Sequence, residues 1–264
     1  MNGRVILGLV LRYIYIIRRS VPRIIEMLFW PMLDLLVWGF LTIYLQKINQ
    51  DIPAAVTFLL GAMIFWDVLF RSQQGMTVSF LEDVWTKNII NVFVAPVRIR
   101  EFLAATALVG LIKVTIIIVA LTTVAFLLYG FNLTVIGWGL VPLFANLIVM
   151  GWGIGMVTTA LIMRFGQAVE MLAWAIPFLF QPLSAVFYPV SVLPSWLQPL
   201  ALCLPSTHVF EGMRDVLAHG GFPMHHLLWA MSLNVVFLLA EAWFFMWMYQ
   251  STREKGYLAK LGTQ

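Results

Sequence analysis

The chain has 264 residues, of which 62% are hydrophobic and 11% are charged, against about 25% charged residues in soluble domains. A soluble protein of this length leaves roughly a quarter of its surface in water, so it cannot bury this much apolar surface. The composition excludes a soluble globular domain and a disordered chain, and the single cysteine, Cys203, excludes a disulfide scaffold. The cationic excess is small, and the placement of the charges along the chain indicates a membrane and no nucleic-acid partner.

Residues 1–23 predict a helix that lies on the membrane surface. Apolar residues recur at helical spacing between positions 7 and 17, and arginines are scattered among them, from which they can reach anionic lipid headgroups. Pro22 is expected to break the chain before the first span. The segment lacks the small-residue cleavage site of a signal peptide, and a frayed basic tail is the alternative.

Six apolar stretches are long enough to cross a bilayer as helices. They are residues 24–45, 54–77, 102–128, 135–163, 169–190 and 227–249. Their continuous apolar character excludes a barrel of alternating strands and predicts an all-α integral membrane protein with six transmembrane helices. Lys and Arg cluster before the first span, between spans two and three, after span four and at the C-terminus, which includes Lys260. Only Lys47 and Arg214 fall on the other side, so both termini are predicted to be cytoplasmic.

Two connections between spans are too long to be simple turns. Residues 80–101, on the cytoplasmic side, mix charges with apolar residues at helical spacing up to Pro96. They predict a short amphipathic helix that contacts a partner or rests on lipid headgroups. Residues 188–223, on the external side, are apolar but interrupted by prolines, which predicts a re-entrant helical hairpin or an amphipathic hairpin on the surface. With no repeat or linker, residues 1–264 are predicted to form one domain.

Ionisable residues inside spans are functional-site hypotheses by default. Asp67 and Arg71 are four residues apart, share a helix face and are predicted to pair, with a substrate or gating role as the alternative. Lys113 lies deep in the third span and requires a carboxylate partner. Asp34 and Glu241 are the two candidates for that partner.

Small, aromatic and external polar residues suggest further roles. The glycines at 151, 153 and 155 permit close helix packing, within one subunit or between two. Five aromatic residues lie deep in spans and either line a path for an amphiphile, or face lipid or pack in the core. They are Trp66, Trp152, Trp174, Phe178 and Phe180. His208 and Glu211 are three residues apart, but without further ligands no metal site is expected. A charge cluster that pins the re-entrant segment to the last span is favoured instead.

Three stretches resemble the permease subunit of type-2 ABC exporters, which export drugs, lipo-oligosaccharides and polysaccharides. The first is residues 88–97, which begin Asn-Ile and end Val-Ala-Pro-Val. The second is residues 187–194, Phe-Tyr-Pro-Val followed by Leu-Pro. The third begins Pro-Ser-Thr-His at Pro205 and continues to Glu211 and Arg214. Their order on a six-span frame carries the resemblance.

The resemblance implies two permease copies, expected to be a homodimer, with two ATPase subunits in a bacterial-type inner membrane. It implies ATP and Mg on the ATPase, with no cofactor and no catalytic residue in this chain. The implied ATPase contacts are Glu82, Asp83, Lys87, Asn88, Asn91, Val92, Arg164 and Gln167. The implied external re-entrant segment includes Tyr188, Pro189, Pro194, Pro205, His208, Glu211 and Arg214.

The predicted function is therefore the transmembrane subunit of an ATP-driven exporter for an amphiphilic, lipid-linked or saccharide substrate. The sequence lacks the Gly-x-x-x-x-Gly-Lys-Ser/Thr phosphate loop, so the chain is not expected to be the ATPase. A passive channel remains an alternative, although the sequence has no Asn-Pro-Ala pair and no Thr-Val-Gly-Tyr-Gly filter. A six-span intramembrane enzyme is less favoured, because all four histidines fall outside the predicted spans.

Overall fold

The computed structural model describes residues 1–48 and 53–255, without the side chains of residues 53–57, 90 and 93. All regular elements in this part of the chain are helical, which confirms the all-α fold. The α-helices are α1 Gly3–Arg18, α2 Val21–Ile48, α3 Pro53–Trp85, α4 Ile89–Val94, α5 Ile99–Tyr129, α6 Leu140–Phe165, α7 Leu172–Leu183, α8 Gln198–Leu202, α9 Pro205–His219 and α10 Met224–Glu254. Lys260 lies outside the described residues.

Within the described residues, four helical segments are long and apolar enough to cross a membrane, and they correspond to four of the six predicted spans. They are α2, α5, the run Leu133–Val169 that contains α6, and α10. The predicted span 54–77 lies within the 33-residue α3, in which polar side chains such as Asp67, Arg71 and Gln73 interrupt the apolar sequence. These four segments establish a membrane protein, while the count of six spans stays a prediction.

The prediction of one continuous helix over residues 169–190 is wrong. A 3-10 turn, Gly166–Val169, precedes α7, and α7 has only 12 residues. At 1.5 Å per residue it is about 18 Å long, well short of the roughly 30 Å hydrocarbon core. The chain then turns at Ala185, whose φ of 50° lies in the left-handed region. The apolar sequence therefore continues past the end of the helix.

Contacts along the long helices give their relative directions. Asn234 of α10 contacts Asn146 of α6. Two turns further along α6, a Cβ on Gly153 would meet Glu241, which is also two turns further along α10. Because the contacting positions move in the same direction along both helices, α6 and α10 are parallel. On α3, Ser72 faces Gly151 and Met76 faces Gly155, so α3 is parallel to α6 as well.

The intervening helices run the other way. Gly75 of α3 meets Gly110 of α5, and Phe80 of α3 lies 6.3 Å, centroid to centroid, from Phe102 of α5, so α3 and α5 are antiparallel. α7 is also antiparallel to α3, because its start contacts Gln73 while Phe178, further along, contacts Phe70. The chain thus alternates direction through α3, α5, α6, α7 and α10.

Both described ends of the chain lie at the same end of the bundle. Leu9 and Tyr13 of α1 belong to one buried cluster with Phe245 and Met248 near the end of α10. We call this the α1 end and the opposite one, which carries α8 and the start of α10, the distal end. α1 is a separate helix, as predicted, but part of its apolar face packs on the protein. Its position at a membrane surface stays a prediction.

The two long connections differ in detail from the predictions. α3 continues to Trp85, so Glu82 and Asp83 belong to α3, and the amphipathic helix predicted within residues 80–101 is only the six-residue α4. A turn at Lys87, with a φ of 53°, separates the two helices. In the external segment, a five-residue α8 and a 15-residue α9 are present. α9 packs against α6 and α10.

The glycines of α6 pack within the subunit. Added Cβ atoms on Gly151 and Gly155 would meet the backbone of α3, and one on Gly153 would meet Glu241. This confirms the interpretation of close packing inside one subunit.

Candidate functional site

A cavity of about 740 Å³ lies between α2, α3, α5 and α7. Four of the five ionisable residues predicted to lie in the membrane line it, namely Asp34, Asp67, Arg71 and Lys113. The fifth, Glu241, is not in the lining, because it faces Gly153 at the contact of α6 with α10. The structure therefore assembles one polar site from residues of three separate predicted spans.

Asp67 and Arg71 form the predicted ion pair, with 3.2 Å between Oδ1 and Nε. Arg71 also donates to Oε1 of Gln74 at 3.3 Å. Asp67 is only 6% exposed, and its Oδ2 has no hydrogen-bond partner in the described part of the chain. One carboxylate oxygen of the pair is thus left available.

Lys113 pairs with neither predicted partner. Within residues 1–48 and 53–255, no carboxylate lies within 4 Å of its ammonium group. Its charged neighbours in the cavity are Glu82, Arg23 and Glu26 near the α1 end, and Arg71 in the middle of the cavity. Arg23 lies 3.6 Å from Glu82, measured from Nε to Oε1. The sequence did not predict this contact of Arg23, because its only distinguishing feature is its position in the basic segment 1–23.

Aromatic rings form much of the remaining wall. Of the five deep aromatics, Trp66, Trp174 and Phe178 line the cavity, and Trp66 also belongs to the buried core. Trp152 and Phe180 are not in the lining and pack against the buried clusters. Trp38 of α2 stacks on Phe187, with centroids 4.2 Å apart and planes 15° apart. This stack joins α2 to the segment after α7 at the distal end of the cavity.

The end of α3 is held to α1 through Asp83. Arg12 forms an ion pair with this carboxylate, and the Tyr13 hydroxyl donates to Oδ2 at 2.6 Å. Burial raises the pKa of Tyr13, and the negative charge of Asp83 raises it further, so the hydroxyl stays protonated and donates. Sequence reasoning did not find Arg12 and Tyr13, because contacts between distant helices leave no mark in local spacing.

The predicted ATPase-contact residues differ in their exposure, and they are buried, partly buried or exposed. Asp83 is 1% exposed, Val92 is 6% exposed and Glu82 is also buried. Lys87, Asn91 and Gln167 are exposed, and Asn88 and Arg164 are partly buried. Val94, at the end of α4, is 81% exposed. Contact with an ATPase stays a prediction, and the three buried residues cannot make it without rearrangement.

Glu211 and Arg214, in the external segment, do not make the predicted contact with the last span. Arg214 of α9 donates to the carbonyl oxygens of Ala185 and Tyr188, the latter at 2.5 Å, and pairs with Glu211. Glu211 in turn accepts from the Val190 backbone N–H at 2.7 Å. The pair therefore clamps residues 185–190 to α9 instead of pinning the segment to the last span.

The other external residues have structural partners. The Tyr188 hydroxyl donates to the Pro182 carbonyl oxygen at 2.8 Å, and His208 Nε2 lies 2.9 Å from the Leu202 carbonyl oxygen. Pro189 and Pro194 flank the 3-10 turn Val190–Val192, and Pro205 opens α9. No group of three metal-ligating residues is present in the part of the chain that the structure describes.

Comparison with known families identifies the chain by its match to a family model. The family model described as ABC-2 type transporter matches residues 7–218. The matched region contains the cavity, α4 and the clamp of Glu211 and Arg214. The comparison with curated proteins found no match.

Proposed function

We propose a function from one premise, namely that the chain belongs to the ABC-2 type transporter family. Members are transport permeases of membranes that associate with an ABC ATPase. In this proposal the chain is the transmembrane subunit of an ATP-driven exporter in a bacterial-type inner membrane. Two permease copies form a homodimer with two ATPase subunits. ATP and Mg bind to the ATPase, and no cofactor binds to this chain.

The cavity between α2, α3, α5 and α7 is the observation that carries this proposal. It combines ion-paired side chains with aromatic walls inside a membrane protein, which suits a substrate with both polar and apolar parts. It extends from Arg23 and Trp85 near the α1 end to Trp38 and Phe187 near the distal end. With the α1 end in the cytoplasm, an amphiphilic, lipid-linked or saccharide substrate enters from that side.

The aromatic stack at the distal end favours a transporter over the alternative of a passive channel. Trp38 and Phe187 line the cavity there, and their rings stack on each other. An open channel needs a continuous polar path, whereas an exporter opens its exit only during the ATP cycle. The segment of Phe187 is clamped to α9 by Arg214, so movement of α9 relative to α2 would separate the rings.

The exposed end of α4 is the proposed contact with the ATPase. Val94 is an apolar side chain that is 81% exposed next to exposed Asn91. α4 follows directly on α3, which carries Asp67 and Arg71 of the cavity. A push on α4 by the ATPase would therefore act on a helix that forms the cavity wall.

Co-purification tests the proposal. Full-length tagged permease, extracted from its own membrane, is expected to bring along a soluble ATPase that hydrolyses ATP. Val94→Glu places a charge in the proposed contact and should lower the recovered ATPase about tenfold, which corresponds to about 1.4 kcal/mol. Val192→Glu is the matched control, because Val192 is 65% exposed in the external segment. Purification of a stable permease that no ATPase joins would contradict the proposal.

A further inference from the structure

Among the described residues that line the cavity, the carboxylates outnumber the cationic side chains by one. The carboxylates are Glu26, Asp34, Asp67 and Glu82, and the cationic side chains are Arg23, Arg71 and Lys113. Near the α1 end, Arg23 and Lys113 balance Glu26 and Glu82. In the middle of the cavity, Arg71 is the described cation whose charge acts on both Asp34 and Asp67. The uncompensated charge therefore belongs to the middle layer.

Asp34 is the carboxylate of the middle layer that has no ion-pair partner among the described residues. Glu26 forms no ion pair either, but its charge acts on Lys113. Arg71 is bonded to Asp67 at 3.2 Å, and no ion pair forms to Asp34 in the described part of the chain. Asp34 is exposed to the cavity. A second acceptor lies in the same layer, since Oδ2 of the buried Asp67 has no hydrogen-bond partner among the described residues.

Aromatic rings surround this layer. Trp30 and Trp38 lie four residues before and after Asp34 on α2, so all three share one helix face, and all three line the cavity. On the facing walls, α3 contributes Phe70 and α7 contributes Phe178, with ring centroids 5.3 Å apart. The cavity already holds one cation over such a ring, because the Arg71 guanidinium lies 5.4 Å from the Phe70 centroid.

We infer that the substrate of this cavity is an amphiphilic organic cation, whose charged group binds at Asp34 between Trp30 and Trp38. A carboxylate attracts the charge, and the faces of the indole rings attract a substituted ammonium or phosphonium group. The apolar body of the ligand contacts Trp66, Phe70 and Phe178. This inference rests on the proposed transport function and narrows its substrate class.

Binding of two probes of the same shape and opposite charge tests the inference. The protein is the full-length permease in phosphatidylcholine nanodiscs, without an ATPase, and binding to empty nanodiscs is subtracted. Tetraphenylphosphonium is expected to bind saturably and at least tenfold more tightly than tetraphenylborate. Saturable binding that favours tetraphenylborate, or no saturable binding of the phosphonium, would overturn the inference and would indicate that Lys113 dominates or that the cavity is not a binding site.

Variants assign the effect to Asp34. Asp34→Asn is expected to weaken phosphonium binding at least tenfold and to leave tetraphenylborate binding unchanged or tighter, which also shows that the variant is folded. Asp34→Glu should retain the preference for the cation. Asp215→Asn is the control, because Asp215 is an exposed carboxylate outside the cavity. Unchanged phosphonium binding in Asp34→Asn would overturn the assignment.

Two competitors distinguish the source of the cation. Tetrapentylammonium is added from the buffer, and a double-chain trimethylammonium lipid is built into the nanodisc. Displacement of the phosphonium by the first supports uptake from water, and displacement by the second supports uptake from the leaflet. Displacement by neither overturns the inference.

These measurements are independent of the ATPase. If the permease recruits an active ATPase but shows no preference for the cation, the proposed function stands and this inference is rejected. If the permease prefers the cation at Asp34 but recruits no ATPase, the binding site stands and the exporter proposal is rejected.

Discussion

Asp83 is the residue on which the attachment of α1 to α3 depends most directly. Its carboxylate is 1% exposed and accepts from both Arg12 and Tyr13. Asn88, beyond the turn at Lys87, is also within hydrogen-bond distance at 3.5 Å. One buried carboxylate thus links α1, α3 and the start of α4. A hydrogen bond to a buried charged group contributes about 1.5–3 kcal/mol, and an unpaired buried partner costs more.

We predict that Asp83→Asn lowers the thermal midpoint of the detergent-solubilised permease, with a loss of about 2 kcal/mol in stability. Asn keeps the shape of the side chain but removes the charge that Arg12 requires. Tyr13→Phe removes one hydrogen bond and should cost about 1 kcal/mol. Unfolding followed by size-exclusion chromatography measures both. Glu254→Gln, at an exposed carboxylate, serves as control, and an equal midpoint for it and Asp83→Asn would refute the role of Asp83.

At the scale of the elements, the crossing of α3 and α5 depends on two glycines. A Cβ on Gly75 would lie 2.3 Å from the Cα of Gly110. Backbone atoms cannot move aside as a flexible side chain can, so the helices must separate. Small residues at such crossings allow close helix approach in membrane proteins. The crossing lies next to the cavity, since Gly75 is part of its lining.

We predict that Gly75→Ala destabilises the permease by about 1–3 kcal/mol, the usual cost of overpacking. The same substitution at Gly8 should have the opposite sign. Gly8 lies inside α1 with nothing within 4 Å of its Cβ position, so alanine gains up to about 1 kcal/mol of helix propensity there. Thermal midpoints of the two variants give the comparison. A stabilising Gly75→Ala would contradict the close contact.

The sequence predicts helices well where an apolar run has clear ends, as in α5 and α10, and poorly where it does not. Residues 169–190 are apolar throughout, yet α7 ends at Leu183 because the chain turns at Ala185. That turn depends on Arg214, which donates to the Ala185 carbonyl oxygen from α9. A stabilising contact from a residue 29 positions away cannot be inferred from local hydropathy.

The candidate site shows the same limit. Composition alone identifies Asp34, Asp67, Arg71 and Lys113 as costly in a membrane, and the i, i+4 spacing gives the pair of Asp67 with Arg71 correctly. Pairing across helices depends on how each helix is rotated about its axis. That rotation follows from packing over the whole bundle. The sequence therefore predicted Asp34 or Glu241 as the partner of Lys113, which is wrong, and it did not predict the ion pair of Arg23 with Glu82.

At the scale of the whole molecule, helix directions constrain the membrane topology more than hydropathy does. α3, α6 and α10 run one way, while α5 and α7 run the other. α2 is antiparallel to α3, because Arg23 lies near Glu82 while Asp34, further along, lies near Arg71. Six alternating segments with both described ends at the α1 end fit six crossings, with α7 and the residues after it as the fifth.

We therefore predict that the α1 end and the distal end lie on opposite sides of the membrane, with the α1 end in the cytoplasm. Single cysteines are introduced in a Cys203→Ser background, because the native thiol is exposed. Trp138→Cys and Trp196→Cys probe the distal end, where the tryptophans are 89% and 70% exposed. Lys87→Cys and Gln167→Cys probe the α1 end, where both residues are exposed.

A membrane-impermeant maleimide should label the two distal cysteines in intact spheroplasts. The two cysteines at the α1 end should react only after the membrane is permeabilised, and this second step controls for their reactivity. Trp196→Cys carries the most information, because it tests the external segment that follows the short α7. If it is protected together with Lys87→Cys while Trp138→Cys is labelled, then α7 does not complete a crossing. The protein would then have fewer crossings than the alternating helix directions require.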